Sequence, residues 1–231
     1  MSMNIEVFPS REELANALAA TVADLLRDAI AERGRATLAV PGGTTPRLFL
    51  SRLADADLAW EEVGVTLTDE RWVPVASPRS NQRLLAETLF AGPAAAAEFV
   101  PLYGALPEPQ MALESIATAL RQIVLPLDLC VLGMGEDMHT ASLFPGALGL
   151  AQALDPDGET PVAAIRTPDA EEPRVTLTAP VLRGARQVFL LIQGAAKRAA
   201  LERARQAPSA SEAPVKTVLA GPAPLTVYYA D

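Results

Sequence analysis

The chain holds one histidine, and it stands in "GMGEDMHTASLFPG", residues 133–146. A neutral imidazole takes up a proton near pH 7, and a neighbouring carboxylate steadies the imidazolium that forms. Glu136 and Asp137 are the carboxylates near His139 in sequence. Three further places carry residue types suited to a ligand. In "VPGGTTPR", Gly42 and Gly43 let the backbone come close to a bound group, Thr44 and Thr45 add hydroxyls, and a helix start just beyond would offer free N–H groups to an anion. No lysine follows at P-loop spacing and the pattern is not GxGxxG, so taken alone this is a glycine-rich turn. "TDERWVP" sets Asp69 and Arg71 directly after an apolar run, as the rim of a site or as a surface charge cluster. "PRVTLT" and "GAAKRAAL" supply Arg174 and Lys197. Lys197 falls early in a helical segment, where its ammonium can join helix N–H groups in holding a phosphate.

The elements around these stretches explain why they belong together. "SREELANALAATVADLLRDAIAERG" reads as a first helix, with Ser10 and Glu13 as a capping box, Leu14, Leu18, Leu25 and Ile30 at helical spacing, and Gly34 as the stop. "ATLAV", "VGVTLTD", "LDLCVLG", "PVAAIRT", "RVTLT", "QVFLLIQG" and "PLTVYYAD" read as strands. Helices are expected from about Pro46, over "RSNQRLLAETLF" with Ser80 or Asn81 as cap, over "MALESIATALRQIV" and over "AAKRAALERARQ". Residues 91–109 read as a loop, and the stretch after residue 133 as irregular to about residue 160. The alternation predicts an α/β, Rossmann-like fold: a largely parallel sheet flanked by helices, over one domain spanning 1–231. In such sheets ligands bind beyond the carboxyl ends of the strands. "PGGTTP", "TDERW", "GMGEDMH" and "QGAAKR" are all strand ends.

The bulk composition narrows the partners. The chain has 231 residues, half of them hydrophobic, enough for a large core. Its net charge of −9 argues against nucleic acid and anionic membranes as partners. No apolar run approaches a membrane span, and the N-terminal stretch lacks a signal-peptide pattern. Cys130, the single cysteine, excludes an internal disulfide and fits a buried apolar position and a cytoplasmic protein. One histidine and one cysteine do not make a structural zinc site. The expected assembly is a monomer or a weak dimer.

Taken in order, "VPGGTTP", "TDERWVP", "SNQRLL", "LDLCVLGMGEDMHTASLFPG", "PRVTLT" and "GAAKRAAL" closely resemble the 6-phosphogluconolactonase family, part of a superfamily shared with glucosamine-6-phosphate isomerase/deaminase. The resemblance runs from about residue 38 to residue 201, and "HTASLFPG" is its most specific piece. It implies hydrolysis of 6-phospho-D-glucono-1,5-lactone to 6-phosphogluconate in the oxidative pentose phosphate pathway, with no metal or organic cofactor. By resemblance, His139 is the general base and Asp137 its carboxylate. Thr44, Thr45, Arg174 and Lys197 match phosphate-binding positions, with Gly42 and Gly43 in the same loop. Asp69 and Arg71 are the acidic and basic pair at the edge, with Arg71 or backbone N–H groups facing the oxyanion. The family usually reads G-x-D-G-H at the histidine, and this chain has Met138 where glycine is usual. If that turn needs φ > 0, methionine is strained there.

Two other functions fit less well. The isomerase/deaminase branch carries a glutamate after the histidine, in a pattern like H-I-A-F-N-E-P-G, whereas this chain has Leu143 and Phe144 there and no acid. A non-catalytic sugar-phosphate-binding domain of the sensor type is expected to bring a DNA-binding module, for which this acidic chain leaves little room. With so few metal ligands, lactonase activity is expected to survive exhaustive chelation. Activity lost in EDTA and restored by one divalent ion would contradict that expectation.

Overall fold

The computed structural model describes residues 4–167 and 170–231. Its elements are, in chain order, β1 (Asn4–Val7), α1 (Arg11–Arg33), β2 (Ala36–Val40), α2 (Arg47–Ala54), β3 (Val63–Leu67), β4 (Asp69–Arg71), α3 (Asn81–Glu87), β5 (Glu98–Val100), α4 (Leu113–Ile123), β6 (Leu129–Gly133), α5 (Leu150–Leu154), β7 (Val162–Ile165), β8 (Arg174–Leu177), α6 (Ala179–Arg183), β9 (Gln187–Gln193), α7 (Ala195–Gln206), α8 (Lys216–Leu219) and β10 (Leu225–Ala230).

α1 begins where the capping box places it. The Ser10 hydroxyl accepts the Glu13 N–H at 3.1 Å, and at the other end Gly34, at φ 76°, donates its N–H to the Ile30 carbonyl at 2.8 Å. The buried stripe is Leu14, Leu18, Val22 and Leu26, and the expected Leu25 and Ile30 flank it, only partly buried. A step of four holds one face over these turns, which puts Val22 and Leu26 rather than Leu25 at the centre.

Seven strands form a sheet in the order β1-β10-β9-β6-β2-β3-β5, and every pair is parallel. β2 and β3 are buried at every residue, as expected for parallel strands covered on both faces. The chain winds outward through β2, β3 and β5, returns to β6 beside β2, and winds the other way through β9 and β10. The reversal therefore lies between β2 and β6.

A second, antiparallel sheet has the order β4-β8-β7. The segment expected as one strand, "VGVTLTD", turns a corner at Thr68. That residue donates its N–H to the Val40 carbonyl of the main sheet at 2.9 Å, and its carbonyl accepts the Leu177 N–H of the second sheet at 2.9 Å. "PVAAIRT" and "RVTLT" are strands, but of this smaller sheet. β1 was not expected, and β5 lies within the segment read as a loop. Among the described residues no helix is long and apolar enough to cross a membrane.

Candidate active site

The carboxyl ends of β2, β6 and β9 open into one cleft of about 240 Å³, and the small sheet closes its side. Gly42, Gly43, Thr44, Thr45, Asp69, Arg71, His139, Arg174 and Lys197 all line it. Asp137 does not line it. It stands beside His139, with Oδ1 2.5 Å from Nδ1. Every residue assigned by the resemblance to catalysis or phosphate binding is thus in the cleft or in contact with one that is, whereas Glu136, the other carboxylate near His139 in sequence, does not bond to the imidazole.

The turn that presents His139 is built from its own backbone. Gly135 N–H donates to the His139 carbonyl and Met138 N–H to the Gly135 carbonyl, both at 3.0 Å. This closes a three-residue loop whose last residue is left-handed, where glycine is the ordinary choice. Here it is Met138, at φ 68°. The loop is strapped from outside: Arg203 of α7 donates to the Glu136 carbonyl at 2.7 Å, and the Val215 N–H to the Met138 carbonyl at 3.1 Å. Gly135 must be glycine for a different reason. A Cβ there would collide with the His139 ring and with the Asp137 carboxylate.

The Asp137–His139 contact sets the proton inventory. Burial works to raise the Asp137 carboxyl, but the hydrogen bond from His139, its charge and the backbone N–H outweigh that and hold it below the ordinary carboxylate value. An ionised Asp137 accepts from Nδ1–H, so the neutral ring carries its proton on Nδ1 and leaves Nε2 as the lone-pair nitrogen. Among the described residues Nε2 has no protein partner.

The basic side comes from the small sheet and from α7. Arg71 and Arg174 are opposite one another in the β4–β8 register, so both guanidiniums leave the same face. Asp69, two residues from Arg71, shares that face. It accepts the Ser142 hydroxyl at 2.5 Å and lies 3.9 Å from the Arg174 guanidinium. Burial draws Arg174 below the ordinary arginine value; Asp69 opposes this, and the charge of Arg71 adds to it. Lys197 stands in the first turn of α7, after Gly194 at φ 86°. Burial lowers its ammonium, and Glu136 pulls the other way. Two guanidiniums and an ammonium around one half-buried space favour an anion strongly.

Sequence reasoning gave no supporting role to the residues that hold this set in place. Asn81, read there only as a possible cap, fills the space left by the missing Cβ of Gly42 and donates to the Asp69 carbonyl at 2.9 Å. The cap is Ser80, whose hydroxyl accepts the Arg83 N–H at 3.2 Å. Glu70, fully buried, accepts the N–H groups of Asn81 and Gln82 at that helix start and fixes α3 to β4. Among the described residues, no group of three or more His, Cys, Asp or Glu side chains is arranged to hold a metal ion.

Known proteins share this arrangement of chain. Residues 9–227 match the family model described as glucosamine-6-phosphate isomerases/6-phosphogluconolactonase. A 6-phosphogluconolactonase of Mesorhizobium japonicum is 47% identical over 230 residues, 99% of this chain and 96% of that protein. One of Rhizobium meliloti is 42% identical over 231 residues, the full length of both. The crystal structure of a 6-phosphogluconolactonase from Shewanella baltica superposes with a TM-score of 0.96 at 31% identity, covering 100% of this chain and 98% of that one.

The left-handed backbone at Met138 stores on the order of 1 kcal/mol. Glycine would release it, against some lost packing of a partly buried side chain and some added unfolded-state entropy. Met138→Gly is therefore expected to melt no lower than the parent. A fall in stability of more than about 1 kcal/mol, read from thermal melts, would show that methionine packing outweighs the strain.

Proposed function

The chain belongs to the glucosamine-6-phosphate isomerase/6-phosphogluconolactonase family, and on that premise we propose that it opens 6-phospho-D-glucono-1,5-lactone to 6-phosphogluconate by attack of a water that His139 deprotonates. The observation that carries the mechanism is the 2.5 Å Asp137–His139 contact, on an imidazole that lines a cleft shared with Arg71, Arg174 and Lys197.

The phosphate at C6 is held at the basic side. Arg174 and Lys197 give charged hydrogen bonds, Thr44 and Thr45 give hydroxyls, and the α7 N-terminus gives backbone N–H groups. Gly42 and Gly43 leave room for the ligand. Binding there, remote from the reacting carbon, fixes the lactone ring against His139 and turns association into orientation. Nε2 takes a proton from water, and the oxygen bonds to C1. The carbonyl electrons move onto its oxygen, which faces Arg71 or a backbone N–H. Asp137 stabilises the imidazolium. When the oxyanion collapses, the bond between C1 and the ring oxygen breaks, and the imidazolium returns its proton to that oxygen as the C5 hydroxyl forms. The carboxylic acid released at C1 ionises in water. Asp69, bonded to Ser142 and facing Arg174, supports the basic side at the rim.

Amino-sugar isomerisation is disfavoured by what touches the imidazole. Among the described residues Asp137 is the one carboxylate bonded to it, and the ring on its face is Phe144. The proposed partner is a small sugar-phosphate lactone, and the proposed setting is the cytoplasm, with the chain as a monomer or weak dimer and a single domain.

His139→Ala is expected to lower kcat by about 10²–10⁴ while the melting temperature holds, the usual scale for a general base. Parent-like turnover in the folded variant, after subtraction of spontaneous hydrolysis, would remove His139 from the reaction. Lys197→Ala and Arg174→Ala should each weaken 6-phosphogluconate binding by about 1.5–3 kcal/mol. Calorimetry with both affinities unchanged would contradict the phosphate assignment.

A further inference from the structure

Phe144 does not line the cleft, yet it touches both halves of it. Its ring lies against the His139 imidazole, centroids 4.1 Å apart and planes 31° from parallel. The Arg174 guanidinium carbon stands 5.0 Å from the centre of the same ring. Both neighbours line the cleft, and Phe144 is half-buried behind them, packed on the core.

Each neighbour needs this contact for a physical reason. Asp137 fixes the Nδ1 end of the imidazole. One hydrogen bond sets one atom and leaves the ring free to tilt about it, so the plane must be set by something flat. Arg174 is held still less. Among the described residues its buried Nε has no hydrogen-bond partner, and Asp69 approaches the guanidinium only to 3.9 Å. A planar guanidinium over an aromatic face keeps its orientation through cation–π and stacking contact. Phe144 is in turn anchored by its packing on the hydrophobic core, beside the fully buried Leu143.

We propose that Phe144 is a positioning residue that sets the imidazole plane of His139 and the guanidinium of Arg174 from one rigid ring, and so fixes the spacing between the water-activating nitrogen and the phosphate clamp. This inference rests on the lactonase reading above. It assigns a function to a residue that does not itself line the cleft.

The test is a double-mutant cycle on the full chain, with kcat and KM from lactone hydrolysis and 6-phosphogluconate affinity from calorimetry. Phe144→Leu should lower kcat and weaken 6-phosphogluconate binding, each by on the order of tenfold, as small misplacements of reacting groups do. Phe144→Tyr, which keeps the ring, should restore both to within a few-fold of the parent. In an Arg174→Ala background the affinity loss caused by Phe144→Leu should vanish, and in a His139→Ala background the kcat loss should vanish. Effects of the same size in all three backgrounds, or a folded Phe144→Leu protein with parent-like kcat and affinity, would overturn the proposal. If Phe144→Leu does not fold, Phe144→Met is read in the same way. A parent protein without lactonase activity would count against the proposed function instead, so the two failures are distinguishable.

Discussion

A parallel sheet sends all of its strand ends out along one edge, and where the winding reverses, two neighbouring connections leave in opposite directions and a gap opens between them. Here that place is β2 beside β6. The gap is the one position that can receive the glycine-rich turn after Val40 and the histidine turn after Gly133 together. Everything at the site follows from it. Gly42 and Gly135 lack side chains because the space is taken by Asn81 on one side and by the Asp137–His139 pair on the other. The small sheet exists to bring Asp69, Arg71 and Arg174 over the gap, and Thr68 is the corner at which the chain leaves one sheet for the other.

The charge distribution works against the protein as a whole and with its site. The chain carries a net charge of −9, while the cleft gathers Arg71, Arg174 and Lys197 around Asp69, the one carboxylate that lines it among the described residues. Burial penalises the charges of Arg174 and Lys197, and the two arginines repel across the β4–β8 pair. A dianion bound there, as proposed, would offset both costs, part of its binding energy coming from the relief of unfavourable interactions among the cleft's own charges. The surrounding negative field would keep that affinity local, admitting a small phosphate ester and repelling a polyanion.

How much of this was legible in the sequence depends on whether the signal was local. The helix caps at Ser10 and Gly34 and the buried strands β2 and β9 are written in adjacent residues, and each appears where expected. β1 is four residues with no fully buried member, and β5 is three residues inside a proline- and glycine-rich stretch. Neither has a periodicity long enough to register. "DER" is too polar to look like a strand, and it becomes one only through its pairing with β8, about a hundred positions away. The site divides in the same way. The residues that carry charge or a proton were recognisable by type. Their supports were not: Asn81 against Gly42 and Ser142 on Asp69 are contacts between distant segments, and Phe144 stacks on His139 only through the irregular path of their shared loop, which no periodicity marks. Met138 is the exception, because a missing glycine is visible in sequence and the backbone there has kept its positive φ.

The central claim is that one imidazole is held with its proton on Nδ1 and its lone pair on Nε2 toward the cleft. Because the chain has a single histidine, this can be read directly. Nitrogen-15 NMR of the imidazole, recorded at a pH where the ring is neutral, gives one pair of ring signals with no assignment problem. The account predicts a protonated Nδ1 and an unprotonated Nε2, with the Nδ1 proton shifted downfield by the Asp137 carboxylate and released from that shift in Asp137→Asn. A neutral ring protonated at Nε2 would contradict it, since that tautomer has no lone pair facing the cleft with which to take a proton from water.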